Sequence, residues 1–165
     1  MASDMEARLQ ELEDQLGLGS LINSYHRRAD RFDWTAWADC FTEDAEFDFA
    51  NEFGTMCGRG AIHDVCKSNM DHVYEAMQHV MVNLDFEVTG SDTAIGHGNL
   101  IFTALPHADQ PHQNFQSGGR YDWEFKRTAD GWRIAKARLE FIWTQGDNAG
   151  AVFSEADVPA AAAAG

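Results

Sequence analysis

The chain has 165 residues, 44% hydrophobic and 12% aromatic, enough to bury a single core without disulfides or metals. Its 12 Lys and Arg against 27 Asp and Glu give a formal net charge of -15. That balance argues against nucleic acid and anionic membrane surfaces as partners, because both are bound through clustered cations. No apolar run reaches the length of a membrane span, and the opening MASDMEARLQ lacks the basic and apolar regions of a signal peptide. Cys40, Cys57 and Cys66 are odd in number and show no metal-ligand spacing, so reduced thiols in a cytoplasmic protein are expected.

Met5, Leu9, Leu12 and Leu16 form an apolar stripe that predicts an opening helix over residues 1–17, interrupted by Gly17 and Gly19. The stripe suits packing across the domain or against a neighbouring subunit. Leu21, Ile22, Tyr25 and Ala29 recur at helical spacing and predict a second helix that ends near Asp30. An acid at a helix C-terminus opposes the macrodipole, which favours cations there. Asp33 has an ordinary explanation as the N-cap of a short helix over 34–40. Asp30 has none, and it reads as half of a catalytic pair.

Residues 44–50, DAEFDFA, alternate strictly and predict a strand with Phe47 and Phe49 on one face. A turn-rich link over 54–60 leads to a helix over 59–73, with Ile62, Val65 and Met70 at helical spacing. The run 78–88, QHVMVNLDFEV, places Val80, Val82, Leu84, Phe86 and Val88 on one face and His79, Met81 and Asn83 on the other. Further strands are expected at 93–105, 120–127 and 132–143, with a long loop at 106–119 and a hairpin turn at 129–131. Helices first and long antiparallel strands afterwards mean an α+β fold. The expected architecture is a strongly curved, mostly antiparallel sheet with helices packed on it, forming a cone with an internal pocket. The expected organisation is an N-terminal helix (1–17), a cone domain (18–145) and a partly disordered tail (146–165) that ends in low complexity.

Asp30 and His79 are the strongest chemical pair. A carboxylate bonded to one imidazole nitrogen fixes the tautomer and raises the basicity of the other nitrogen, giving a base that works near neutrality. Sequence separation alone does not place them in contact; by spacing, a structural His and a surface Asp is the plainer reading. Tyr25, one turn before Asp30, reads equally as a core aromatic and as a catalytic hydroxyl. His97 and Asn99 share a strand face and offer hydrogen bonds to developing negative charge, although a satisfied structural or interface role is the simpler reading of His97. Asn83 can orient substrate or serve a strand edge. His107 and His112 lack a third ligand in register, so no metal site is expected.

The segments INSYHRRADRFDWTAWADCFTEDAEF, CGRGAIHDVCKSN, QHVMVNLDFEV and FKRTADGWRIAKARL resemble, in content and order, the SnoaL-like branch of the nuclear-transport-factor-2-like fold. The likeness runs from about Leu18 to Trp143. Within the branch the chain looks most like cofactor-independent lyases: scytalone dehydratase, hexachlorocyclohexane dehydrochlorinase and bile-acid 7α-dehydratase. The resemblance implies that Asp30 and His79 form a catalytic dyad, because these enzymes use an Asp and a His at the matching positions. Tyr25 matches a tyrosine of the bile-acid enzyme. The chain also departs from the pattern. Ala29 and Phe49 stand where scytalone dehydratase has its polarising tyrosines, and Phe47 stands where the dehydrochlorinase has a tryptophan. Scytalone itself is therefore not expected as substrate.

The resemblance implies a lyase that needs no cofactor and acts on a hydrophobic aromatic or polycyclic small molecule, with loss of water, halide or a fragment such as formaldehyde. Phe47, Phe49, Asn83, His97 and Asn99 are the expected substrate contacts. It also implies a homotrimer formed through the open sheet faces. An isomerase or cyclase with the same base is an alternative. So is a non-catalytic small subunit of a ring-hydroxylating dioxygenase.

Overall fold

The computed structural model describes residues 2–50 and 54–146. Its order is α1 (Ala2–Ala29), α2 (Trp34–Ala38), β1 (Phe41–Asp48), β2 (Thr55–Cys57), α3 (Arg59–Met70), β3 (Ala76–Val88), β4 (Thr93–Leu105), β5 (Phe115–Thr128) and β6 (Gly131–Gln145). The strands form one open sheet in the order β2-β1-β6-β5-β4-β3, in which only the β1–β6 pair is parallel. The expected α+β class, with helices on a mostly antiparallel sheet, is the class observed. The expected tail, apart from Gly146, lies outside the described residues.

The two helices expected before Asp30 are one. α1 runs unbroken through Gly17 and Gly19. Gly17 faces the indole of Trp132, where an added Cβ would sit 3.2 Å from the ring, so close helix–sheet packing explains a glycine that reads locally as a break. Beside it, the buried Asp14 accepts from Arg127 Nη2 (2.7 Å), Trp132 Nε1 (3.3 Å) and Gln10 Nε2 (3.1 Å), which ties α1 to the β5–β6 hairpin. Further out, Met5, Leu9, Leu12 and Leu16 are all exposed.

Two strands depart from the expected phase or extent. In β3 a bulge falls between Val82 and Asp85, with Asn83 in the left-handed region at φ 55°. One extra residue exchanges the faces of a strand. Before the bulge His79 and Met81 turn inward and Val80 and Val82 outward; after it Leu84, Phe86 and Val88 turn inward. The single apolar face expected for 80–88 is thus divided between the two sides of the sheet. β5 begins at Phe115, so the loop expected at 106–119 ends five residues early. Gly118 and Gly119, which read as loop, pair within the sheet; a side chain at Gly118 would strike the Trp143 indole, and one at Gly119 would meet Glu140 O at 2.7 Å.

The core lies between the helices and the inner sheet face. The alternation of β5 sends Ser117, Tyr121, Trp123 and Phe125 into it, and α1 contributes Leu18, Ile22, Tyr25, His26 and Ala29.

Candidate active site

The site begins with the way α1 stops. Asp33 N donates to Arg28 O (3.0 Å) and Phe32 N to Ala29 O (2.9 Å), the paired bonds of a Schellman cap. Phe32 occupies the left-handed position at φ 57°, where glycine is usual. The reversal then lets Asp33 cap α2 as expected, its carboxylate accepting from Ala36 N at 3.2 Å. Asp30, freed from any capping role, points its carboxylate at β3.

There it meets His79. Asp30 Oδ1 accepts from His79 Nδ1 at 2.6 Å, and the same carboxylate accepts from the His79 backbone N–H at 3.0 and 3.2 Å. A carboxylate that grips both backbone and ring fixes the rotamer as well as the tautomer. In the neutral ring Nδ1 therefore carries the proton and Nε2 the lone pair. The ring packs 4.6 Å from the Phe102 ring, and its side chain is only 10% exposed.

The helix face that carries Asp30 also carries His26, one turn earlier and buried. Its Nδ1 bonds Ile22 O at 2.9 Å, while Nε2 is buried with no hydrogen-bond partner among the described residues. The His26 and His79 rings are 5.4 Å apart. Burial first, and then the neighbouring His79, lower the His26 pKa from 6.5 to about 3, so the ring is neutral. Tyr25 and Tyr121 face each other with hydroxyls 3.5 Å apart. Burial raises the pKa of both, so each is a neutral phenol. Tyr121 stacks on Trp123 at 4.9 Å, and Phe47, stacked on Phe49 at 4.4 Å, continues the aromatic wall.

The residues singled out in the sequence therefore divide. Asp30, His79, Tyr25, Phe47 and Phe49 all lie on the inner side. Asn83, expected beside His79, is exposed at the bulge, where its backbone conformation accounts for an Asn. His97 and Asn99 lie on the outer face: His97 Nδ1 bonds Asp122 Oδ1 at 2.6 Å in the cross-strand row His97–Asp122–Arg138, and Arg138 bonds Asp48 at 2.9 Å. The alternation of β4 puts them there, since their neighbours Gly98 and Leu100 are the buried residues. His26 and Tyr121 were missed. Two signals for them exist in the sequence: the i,i+4 spacing of His26 and Asp30, and the alternation Tyr121, Trp123, Phe125. Among the described residues no group of three His, Cys, Asp or Glu side chains is placed to hold a metal ion.

Comparison with known proteins gives the family of this helix-capped sheet. Residues 10–138 match the model of the SnoaL-like domain, and the chain belongs to that family. No curated protein matches it. Among solved structures, it is similar to a proposed aromatic ring hydroxylase from Novosphingobium aromaticivorans, with 26% identity, 84% of this chain and 97% of that chain covered, and a TM-score of 0.72. A proposed scytalone dehydratase from the same species shares the fold at 17% identity, covering 87% and 94%, with a TM-score of 0.76. So does a hexachlorocyclohexane dehydrochlorinase from Novosphingobium barchaimii, at 18% identity, covering 84% and 92%, with a TM-score of 0.72. No helix among the described residues is long and apolar enough to cross a membrane.

Proposed function

We propose that the protein is a cofactor-independent lyase acting on a hydrophobic aromatic small molecule, with Asp30 and His79 as its catalytic dyad. The observation that carries this reading is the 2.6 Å bond from His79 Nδ1 to a carboxylate that also holds the His79 backbone. It leaves Nε2 as a base in a mostly apolar interior. In an elimination, Nε2 takes a proton from carbon, the C–H electron pair becomes the new π bond, and the leaving group departs with its own bonding pair. Asp30 stabilises the imidazolium, which returns its proton to a departing hydroxide to give water. For loss of formaldehyde, Nε2 would instead take the proton of a primary hydroxyl; the O–H pair becomes the C=O bond of formaldehyde, the C–C pair becomes a new π bond as a β oxygen departs, and that oxygen takes the proton back from Nε2. Tyr25 and Tyr121, as neutral phenols, can donate hydrogen bonds to developing negative charge. Phe47 and Phe49 would hold an aromatic ring by burial and stacking.

The test is turnover of hydroxylated diaryl and polycyclic aromatics by the purified protein alone, set against His79→Ala. Wild-type rates in that variant would mean another base. A second reading, as a small subunit of a ring-hydroxylating enzyme, draws on the 26% identity to the proposed hydroxylase. Turnover by the isolated chain separates the two.

The same proposal includes a homotrimer formed through the outer sheet face. Val80, Val82, Ile101, Ile142 and Trp143 support it, since all five are at least 40% exposed and Val80, Ile101 and Trp143 fall in one cross-strand row. Beyond that row the outer face carries charges that are already paired, among them Arg120–Glu140, Lys136–Glu46 and Arg138–Asp48.

A further inference from the structure

We infer that His26 Nε2 is a second hydrogen-bond acceptor in the site and that it selects a substrate bearing a hydroxyl. The inference rests on the lyase reading for the identity of the site, and it adds the polar group that the substrate presents.

The two histidines commit Nδ1 to different partners. In His79, Nδ1–H points to a carboxylate; in His26, Nδ1 lies 2.9 Å from Ile22 O, a carbonyl that can only accept. The His26 proton is therefore on Nδ1, and Nε2 has a lone pair. That atom is buried and without a partner among the described residues, in a residue 4% exposed. Burying a bare acceptor is costly, and native structures seldom leave one so. The surrounding aromatic rings of Tyr25, Tyr121 and Trp123 press on the imidazole edge-to-face and offer it no hydrogen bond.

A neutral His79 does not satisfy it, because with Nδ1–H committed to Asp30 its own Nε2 is also an acceptor. Two acceptors whose rings are 5.4 Å apart call for a donor between or beside them. An O–H group supplies one and an ether does not. The two rings then differ in task. His79, with an anion behind it, can hold a proton. His26, with only a carbonyl behind it and a pKa near 3, remains an acceptor throughout. Ordering of the substrate hydroxyl against His26 would orient the neighbouring carbon or hydroxyl toward His79.

The experiment is calorimetric titration with 2-naphthol and its ether, 2-methoxynaphthalene, on wild type, His79→Ala and the double variant His79→Ala, His26→Phe. The expected result is about tenfold tighter binding of the phenol by wild type and His79→Ala. Equal binding of the two by the double variant is expected, because Phe keeps the ring and removes the one imidazole acceptor left. Nitrogen NMR on histidine-labelled wild type serves if the variant does not fold. His26 Nε2 should be unprotonated at pH 7 and should shift with the phenol but not with the ether. The inference is overturned by equal binding in wild type or in His79→Ala, by binding of neither ligand, by a preference that survives in the double variant, or by an Nε2 signal that is protonated or unmoved. None of these outcomes depends on turnover, so a lyase reading that fails in the His79→Ala assay fails separately.

Discussion

Asp30 ends a helix and His79 lies near the start of an edge strand, yet one carboxylate holds both the imidazole and the backbone N–H of the histidine. Side-chain and main-chain grip together leave the ring one orientation and one tautomer. His79→Ala should therefore lower turnover by at least ~10³-fold, with aromatic binding and the unfolding midpoint little changed. Asp30→Asn should cost a comparable ~10³- to 10⁴-fold, because an amide can hold the ring but cannot stabilise an imidazolium. Steady-state rates beside binding constants for each variant decide it. Loss of binding in step with rate would move the dyad from chemistry to structure.

Tyr25 should matter less. Its hydroxyl meets Tyr121 at 3.5 Å, the outer limit of a hydrogen bond, so little folding energy rides on it. Tyr25→Phe is expected to change stability by under ~1 kcal/mol and to lower kcat/KM by about tenfold, roughly 1.4 kcal/mol of lost transition-state stabilisation. An unchanged kcat/KM would make Tyr25 a core aromatic and leave Tyr121 as the candidate donor.

What was legible in the sequence was what local chemistry decides. Asp33 reads as a cap because capping needs only the next three residues, and Asp30 stands out because an acid at a helix end needs another reason. The fold class followed from the order of the periodic segments. The bulge at Asn83 was not legible, because it is set by pairing with β4, and without it the alternation of 80–88 looks continuous. Gly17 and the pair Gly118–Gly119 read as breaks, since their reason is a side chain from elsewhere: Trp132 in one case, Trp143 and Leu139 in the other. His26 does not stand out in the sequence, because a histidine on an apolar helix face resembles core. Its bare Nε2 becomes visible only once every neighbour is known.

Asp14 makes a separate prediction about stability. Its Arg127 bond, chiefly, holds its pKa below the ordinary 3.8, and Arg127 in turn lies over the Trp132 ring at 4.3 Å. Asp14→Ala should destabilise by ~2–3 kcal/mol, since it removes a charge-assisted bond, leaves the Trp132 N–H without its acceptor and leaves the Arg127 guanidinium only its hydrogen bond to Ser91 O. Urea unfolding measures this directly. A cost below ~0.5 kcal/mol would show the α1–hairpin tie to be incidental.

The outer-face proposal predicts assembly. Ile101→Lys and Trp143→Glu each put a charge into the exposed apolar row and should convert trimer to monomer in light scattering. Helical content should be preserved, because neither side chain belongs to the core. A wild type that is monomeric at micromolar concentration would remove the proposal.

The last prediction concerns acid. His26 has an ordinary pKa of 6.5, lowered to about 3 in the fold by burial first and His79 second. Between those values the unfolded chain binds a proton that the folded chain refuses. Stability is therefore fully present above pH 6.5 and declines as pH falls toward 3, by up to roughly 5 kcal/mol. Asp14 adds a loss of the same sign, but only as pH falls through and below 3.8, where its bond to Arg127 is protonated away. The interval from pH 6.5 to 4.5 is thus the part in which His26 can be read apart from Asp14. Urea unfolding across that interval should give a distinctly shallower pH dependence for His26→Phe than for wild type, whatever the variant does to stability at pH 7. Equal slopes would mean that the His26 ring accepts its proton in the folded protein, and its Nε2 could not then serve as a fixed acceptor.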